Sequence, residues 1–437
     1  MATPPVSPKT MPTTRKPLPL LLLSLSLPVL LLLLSLVFLL SHTTFSLLIC
    51  PRLPKSTSRR SANVTGISGT ASLDVAMGKT LQAFHAAAPP PPLPLPLPAA
   101  RAAVANSKKA SARRNKSLLK LLLRETPKTR RFAARADELF ATPPAPSPCT
   151  DRFFMTWLSP RAQFGRRELL VVESLFRWHP RACLLVASDT MDSAGGSDRL
   201  RPFVERRLRV AAASPDFAYL LNGTEAEAWL GAARRGEVSP GSVPLGQNLS
   251  NLLRLALLHR YGGVYLDADV VVLRPLSGLR NAIGAQSVDE ATGDWRRLNN
   301  AVMAFDRGHP LLREFIAEFA AAFDGSKWGH NGPYLVSRVA ARLRRRRSPE
   351  LDVTVLPPRA FYPVDWTKIG GLFVAPKDRK GERWVKAKVE NIKGESLGIH
   401  LWNRESGKLE MEEGSVIGNL ISDSCLFCNS SMLVKQE

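Results

Sequence analysis

Three patterns of hydrophobic and polar positions divide the chain. From Leu18 to Leu40 no charged residue interrupts a Leu-dominated run. About 23 such residues are enough to cross a hydrocarbon core of ~30 Å with some tilt. The ~7–15 apolar residues of a cleaved signal peptide are fewer. The run therefore predicts a transmembrane signal anchor over 18–40, after a cytoplasmic tail over 1–17. Pro19 and Pro28 are compatible with a membrane helix. Residues 41–148 have no sustained period and are rich in Pro, Ala, Ser, Lys and Arg. Pro with alternating Leu from Pro89 to Pro98 predicts a stiff polyproline II spacer. The stretch 101–131 is basic, with transient helix expected around Ser117–Leu123. This region reads as a disordered stem.

From Cys149 onward the pattern alternates between periods near 2 and near 3.6. Strands are predicted at Phe153–Trp157, Ala182–Ala187, Val264–Val272 and Asn300–Phe305. Helices are predicted at Arg167–Trp178, Asn248–Arg260 and Pro310–Phe323. Tyr261-Gly262-Gly263 ends the second helix through a glycine cap. The alternation predicts one α/β domain over 149–437 with a mainly parallel sheet. Ligands of such sheets bind beyond the carboxyl ends of the strands.

The net charge of +23 matters only once it is located. Residues 51–148 hold 17 basic and 4 acidic residues, so most of the excess lies in the stem. No zinc-finger spacing or RNA-binding signature accompanies it, which argues against nucleic acid as a partner. A basic stem close to anionic lipid or acidic glycans is the better account. Positive charges flank the apolar run on both sides, so the positive-inside rule does not orient it. The folded part and the sequons at Asn63, Asn115, Asn222, Asn248 and Asn429 all follow the run, which favours a lumenal, type II arrangement. Cys149 precedes the first strand and Cys183 opens the second. Adjacent parallel strands would bring them together as a disulfide. Cys425 and Cys428 form a lone CxxC, a second disulfide candidate. A zinc site is the weaker reading, with no second ligand pair at hand.

The most chemical stretch is YGGVYLDADVVVL, residues 261–273. Asp267 and Asp269, at i and i+2, face one way on an extended strand. Two carboxylates with no adjacent basic partner are costly inside a buried strand. At a strand end they suit a hard divalent cation, Mn²⁺ or Mg²⁺.

LSNLLRLALLHRYGGVYLDADVVVLRPL, residues 249–276, is similar to the sugar-binding region of the α-1,4-galactosyltransferase and α-1,4-N-acetylglucosaminyltransferase family, which includes lactosylceramide galactosyltransferase. FFMTWLSP (153–160), GAQS (284–287), LNNAVMAFDRGHPLL (298–312), WGHNGPYLVSRV (328–339), LPPRAFYPVDW (356–366) and IHLWNRESG (399–407) resemble blocks of its plant branch, in the same order. The resemblance covers nearly all of 150–437. It implies a GT-A fold, a UDP-sugar donor, a glycan or glycolipid acceptor, and a Golgi-type membrane enzyme. UDP-galactose and UDP-N-acetylglucosamine head the donors, and the α-linked products imply retention, which a front-face mechanism achieves without a protein nucleophile.

The resemblance also implies residue roles. Asp269 ligates the metal directly, while Asp267 meets the ribose or a metal-bound water. Ser250, Asn251, Arg254, Gly263 and Tyr265 are expected at the donor. Family members from animals usually carry Asp at the position of Asn251, which leaves the sugar open. Arg254 is either a donor contact or a surface ion pair. His400 is either a third metal ligand or a core histidine, and Trp402 either core or a stacking platform. The tight loop Trp328, Gly329, His330, Asn331, Gly332 and Pro333 is expected at the acceptor, with Asn331 a catalytic candidate; a purely structural turn is the alternative. Asp306 and Asp365 are weaker acid or base candidates. Two other functions compete. A non-catalytic glycan-binding scaffold on the same fold would have lost an acidic ligand, and both acids are present. A metal-dependent phosphohydrolase would carry a further acidic or histidine cluster, and none has convincing spacing. Nothing in the sequence bears on oligomeric state.

Overall fold

The computed structural model describes residues 98–141 and 149–427, with side chains from 107 onward. The predicted span at 18–40, most of the Pro/Leu run and Cys428 lie outside the described residues. Among the described residues no helix is long and apolar enough to cross a membrane.

Three helices come first: α1 (Pro98–Leu122), α2 (Pro127–Arg130) and α3 (Phe132–Phe140). The α/β part follows in the order β1 (Arg152–Thr156), α4 (Arg166–Trp178), β2 (Cys183–Ala187), α5 (Ala194–Glu205), β3 (Arg209–Ala213), α6 (Phe217–Leu221), α7 (Ala226–Arg235) and α8 (Leu245–Tyr261). Next are β4 (Gly263–Leu266), β5 (Val270–Val272), β6 (Ala282–Val288), β7 (Trp295–Phe305), α9 (Pro310–Ala322) and α10 (Pro333–Arg346). The chain closes with β8 (Thr354–Leu356), α11 (Arg379–Glu395), β9 (Gly398–His400), α12 (Asn403–Ser406) and α13 (Val416–Ser424).

Seven strands form one sheet in the order β3-β2-β1-β4-β7-β6-β8. β3, β2, β1 and β4 run parallel, but β7 is antiparallel to both β4 and β6. The sheet is therefore mixed but mainly parallel, as expected: four of its six strand pairs are parallel, and β7 alone runs against the rest. A short turn joins β6 to β7, held by Asp289 Oδ1 accepting from the Ala291 and Thr292 amides. So short a link permits only an antiparallel pair.

The expected strand 264–272, however, is corrected. β4 stops at Leu266, and the Val270 amide donates to the Asp267 carbonyl at 3.1 Å, closing a turn. β5 then leaves the main sheet and pairs with β9 in a sheet of two. The acids thus sit on a turn between two sheets.

Alternation along the strands builds two cores. Phe153, Met155, Val264 and Leu266 face one layer, with α4 and α13. Phe154, Leu185 and Tyr265 face the other, with α8, α9 and α10. β1 and β2 lie side by side, and Cys149 is disulfide-bonded to Cys183 with Cα atoms 5.7 Å apart. Cys425 is disulfide-bonded as well.

The disordered stem over 41–148 needs revision at its end. Leu119, Leu123, Phe132, Ala136 and Phe140 are buried in the second core. Phe132, Ala136 and Phe140 recur every four residues, a helical stripe. Asn115 is buried and donates to the carbonyls of Gly241 and Val243, at 2.9 Å each. The many Lys and Arg on the outer face of α1 had hidden this stripe. Replacing Phe132 with Ala should cost about 3–5 kcal/mol, read as a lower denaturant midpoint. An unchanged midpoint would show that 107–141 contributes nothing to the folded core.

Candidate active site

The site starts with α8, whose 17 residues are largely buried. It ends at Gly262, φ +65°, followed by Gly263, φ +123°. A Cβ on Gly262 would lie 2.6 Å from the Arg307 amide nitrogen, and one on Gly263 2.4 Å from the Arg152 carbonyl oxygen. Only glycine allows helix to pass so directly into β4. Gly263 is a backbone hinge at the start of β4, with the acids beyond its far end, and not a donor contact.

Asp267 leaves the end of β4 against Arg254 of α8. Arg254 Nη2 is 2.9 Å from Asp267 Oδ1, and Nη1 is 3.1 Å from Oδ2. Arg254 also donates to the Asn300 carbonyl at 2.7 Å, and to the Ser250 carbonyl and hydroxyl at 3.2 and 2.8 Å. Four hydrogen bonds and the ion pair to Asp267 therefore engage all three guanidinium nitrogens. The group lies 4.5 Å from the centre of the Tyr265 ring. The Tyr265 hydroxyl donates to Asp267 Oδ1 at 2.8 Å. Thr156 joins this hydroxyl at 2.8 Å to the Ser250 hydroxyl at 2.6 Å. Arg254 thus holds Asp267 in place at the wall of the cleft, and it is not a surface pair.

Burial pushes the Asp267 carboxyl above its ordinary range, and Asp269 adds to the rise; Arg254 opposes it. Burial works against the Arg254 charge, but Asp267, Tyr265 and Tyr362 together outweigh it and the group stays cationic. Burial also keeps the Tyr265 phenol protonated, so it remains a donor.

Asp269 lies across the turn. Its Oδ2 accepts from the Asn403 amide at 2.9 Å, and its backbone carbonyl from the Leu401 amide at 2.8 Å. His400 enters through β9, opposite Val270. Its Nε2 is 3.4 Å from Asp269 Oδ1, and its Nδ1 is buried with no hydrogen-bond partner among the described residues. The ring lies between Tyr362 and Trp402, with centroids 5.8 and 4.3 Å away. Trp402 is fixed by donating to the Val364 carbonyl at 3.0 Å, with φ +56°. That left-handed residue opens α12 and aims the Asn403 amide at Asp269. One ligand atom each of Asp267, Asp269 and His400 lies within 4.8 Å of the others. Two carboxylate oxygens and an imidazole nitrogen suit Mn²⁺ or Mg²⁺. A cation there would relieve the crowding of the two carboxylates.

The cluster opens onto a cleft of about 640 Å³. Trp328, Gly329, Pro333, Trp402, Ser250 and Asn251 line it. Trp328 is 43 % exposed, with the Arg404 guanidinium 4.2 Å from its ring centre. The rest of that loop is structural. His330 Nε2 sits 2.8 Å from the Ala322 carbonyl. Asn331 is 1 % exposed. It donates to Asn248 Oδ1 and the Asp324 carbonyl, at 2.9 Å each, and accepts from the Asp324 amide at 3.1 Å. It does not line the cleft. Gly332 packs on Asn251, where a Cβ would come within 2.5 Å of Oδ1. The Asn251 amide donates to the Gln247 carbonyl and accepts from Asn300, which leaves a second N–H at the cleft wall. Asp306 pairs with Arg280 and Asn281, and Asp365 holds its own turn at Thr367.

Thr156, Gln286, Asn299, Asn300, Tyr334 and Arg404 also line the cleft, and the sequence had not singled them out. Their only signal was position: polar residues at or near the ends of apolar strands, as in LNNAV.

Arg254→Met should destabilise the fold by about 1–3 kcal/mol, because it removes the hydrogen-bond partner of a half-buried carboxylate. Asn331→Ala should cost about 1–3 kcal/mol while leaving Mn²⁺ affinity intact. Calorimetric titration of both variants checks this; loss of Mn²⁺ binding in a folded Asn331→Ala protein would return that residue to the site.

Residues 165–289 match the family described as glycosyltransferase sugar-binding region containing DXD motif. Residues 304–432 match the alpha 1,4-glycosyltransferase conserved region. The first match contains Asp267 and Asp269, and the second His400 and Trp402. An uncharacterized Arabidopsis thaliana protein is 34 % identical over 289 residues, 64 % of this chain and 42 % of that protein. The human lactosylceramide 4-alpha-galactosyltransferase is 30 % identical over 288 residues, 63 % of this chain and 74 % of that one. The human alpha-1,4-N-acetylglucosaminyltransferase is 27 % identical over 186 residues, 40 % of this chain and 49 % of that one. Sequence similarity and the carboxylate–imidazole cluster agree: this chain belongs to the alpha-1,4-glycosyltransferase family, whose sugar-binding region contains the DXD motif.

Proposed function

We propose that this chain is a metal-dependent, retaining glycosyltransferase of the family's plant branch. It transfers galactose or N-acetylglucosamine from a UDP-sugar to a glycan or glycolipid acceptor, through an α-1,4 linkage. The observation that carries this reading is the Asp267–Asp269–His400 cluster in a cleft flanked by Trp328 and Trp402. The similarity to lactosylceramide 4-alpha-galactosyltransferase supports the choice of sugar class and linkage.

Asp269, His400 and Asp267 would hold Mn²⁺ or Mg²⁺, which neutralises the diphosphate as it leaves. Arg254 and Tyr265 keep Asp267 fixed toward that position. The Asn403 amide fixes Asp269 and leaves its other oxygen facing His400. Trp328 and Trp402 offer apolar faces to a sugar ring. A front-face route is favoured, in which a phosphate oxygen of the departing group takes the acceptor proton. The DXD acids then remain with the cation. The apolar run at 18–40, the downstream sequons and the disulfides support a lumenal domain of a Golgi type II membrane protein.

The full chain, solubilised in detergent, is assayed with Mn²⁺ against a panel of UDP-sugars and acceptors. Transfer from one donor is expected, lost with chelator and lowered about 10²–10³-fold or more by Asp269→Ala. If the folded protein turns over no donor and binds no nucleotide with Mn²⁺, the catalytic proposal fails and a glycan-binding scaffold replaces it.

A further inference from the structure

Three sequons fall among the described residues, and the fold treats them differently. An N-linked oligosaccharide is attached at the asparagine Nδ2, so that atom must face solvent in the finished protein. At Asn115 it does not. The residue is 5 % exposed, and Nδ2 donates to two carbonyls, those of Gly241 and Val243. A substituted Nδ2 retains one N–H and loses one of these bonds. At Asn248 the obstacle is space. The residue is 3 % exposed, its Nδ2 is buried without a partner among the described residues, and its Oδ1 accepts from Asn331. A sugar there would have to enter the interior between α8 and the loop carrying Asn331.

Asn222 differs from both. It caps α6 with φ −55° and ψ 128°, outside helical geometry, and its side chain is exposed. No hydrogen bond is made by that side chain among the described residues. Gly223 follows with φ +75°, and no atom lies within 4 Å of where its Cβ would be. Thr224, the third residue of the sequon, is buried, with its hydroxyl donating to the Leu221 carbonyl at 2.6 Å. The folded sequon is therefore locked, and modification has to precede closure of this turn. No residue of 217–236 lines the cleft, so a glycan here leaves it open.

We infer that Asn222 is an N-glycosylation site of this protein and that Asn115 and Asn248 stay unmodified in its folded form. This rests on the lumenal orientation proposed above. The co-reactant is a lipid-diphosphate-linked oligosaccharide. The Asn222 amide nitrogen bonds to the anomeric carbon, the carbon–oxygen bond to phosphate breaks, and the diphosphate leaves with the electron pair. The nitrogen gives up one proton.

The full chain is expressed in a eukaryotic secretory cell and purified. Glycans are released by an amidase in heavy-oxygen water, which marks each formerly modified asparagine for peptide mass spectrometry. Protease protection of intact microsomes is measured in parallel. Label is expected on Asn222 in more than about half of the molecules and absent from Asn115 and Asn248. Asn222→Gln should remove one glycan's mobility shift without altering Mn²⁺-dependent UDP binding. A protease-protected chain with bare Asn222 overturns the inference while the lumenal reading stands. A protease-accessible chain with bare Asn222 overturns both. Label on Asn115 or Asn248 in soluble, folded protein also overturns it.

Discussion

The site depends on a buried guanidinium. Arg254 is removed from water, and such a charge is tolerable only when paired and fully hydrogen-bonded. Here all three nitrogens are used: a hydrogen bond and an ion pair reach Asp267, two hydrogen bonds reach Ser250, and one reaches the Asn300 carbonyl. The same bonds therefore fix α8, the end of β4 and the middle of β7 with respect to one another. An Asp267 carboxylate held so firmly on one side still presents its remaining lone pairs to the cleft. Rigidity of this kind is what a metal ligand requires, because the surrounding bonds and not the metal then set its position.

The other half of the site is assembled from far along the chain. β5 abandons the main sheet to pair with β9, and that pairing brings His400 opposite Val270, one residue from Asp269. Trp402, in the left-handed region, then turns the chain so that the Asn403 amide meets Asp269. The turn at 267–269 is thus shared by two sheets. Each acid is anchored by a different one: Asp267 by the helix and strand behind it, Asp269 by the C-terminal segment.

Much of this was legible in the sequence, and the reasons differ by element. β1, β2, α4 and α8 follow from clean periodicity, and their predicted limits lie within a few residues of those observed. The cysteine pairing followed from the adjacency of two parallel strands. The DXD turn was misread as a continuous strand, because apolar residues on both sides mask the change of partner; pairing is a tertiary property. Asn331 and Gly263 looked functional because Asn and Gly serve both catalysis and packing. Their neighbours decide between the two, and those neighbours, Asn248 and Asp324 for one, Arg152 for the other, are distant in sequence or carry no signal. α1 and α3 were hidden by composition: a strongly basic outer face overshadowed a stripe of buried Leu, Phe and Ala.

The central claim is that Asp267, Asp269 and His400 form one metal site through which a nucleoside diphosphate is held. Calorimetric titration of UDP into the full-length protein, with and without Mn²⁺, tests it most directly, with His400→Ala as the companion. The account predicts UDP binding that requires Mn²⁺ and weakens about 10-fold or more without the imidazole. Equal binding of UDP with and without the cation, in folded protein, would contradict it.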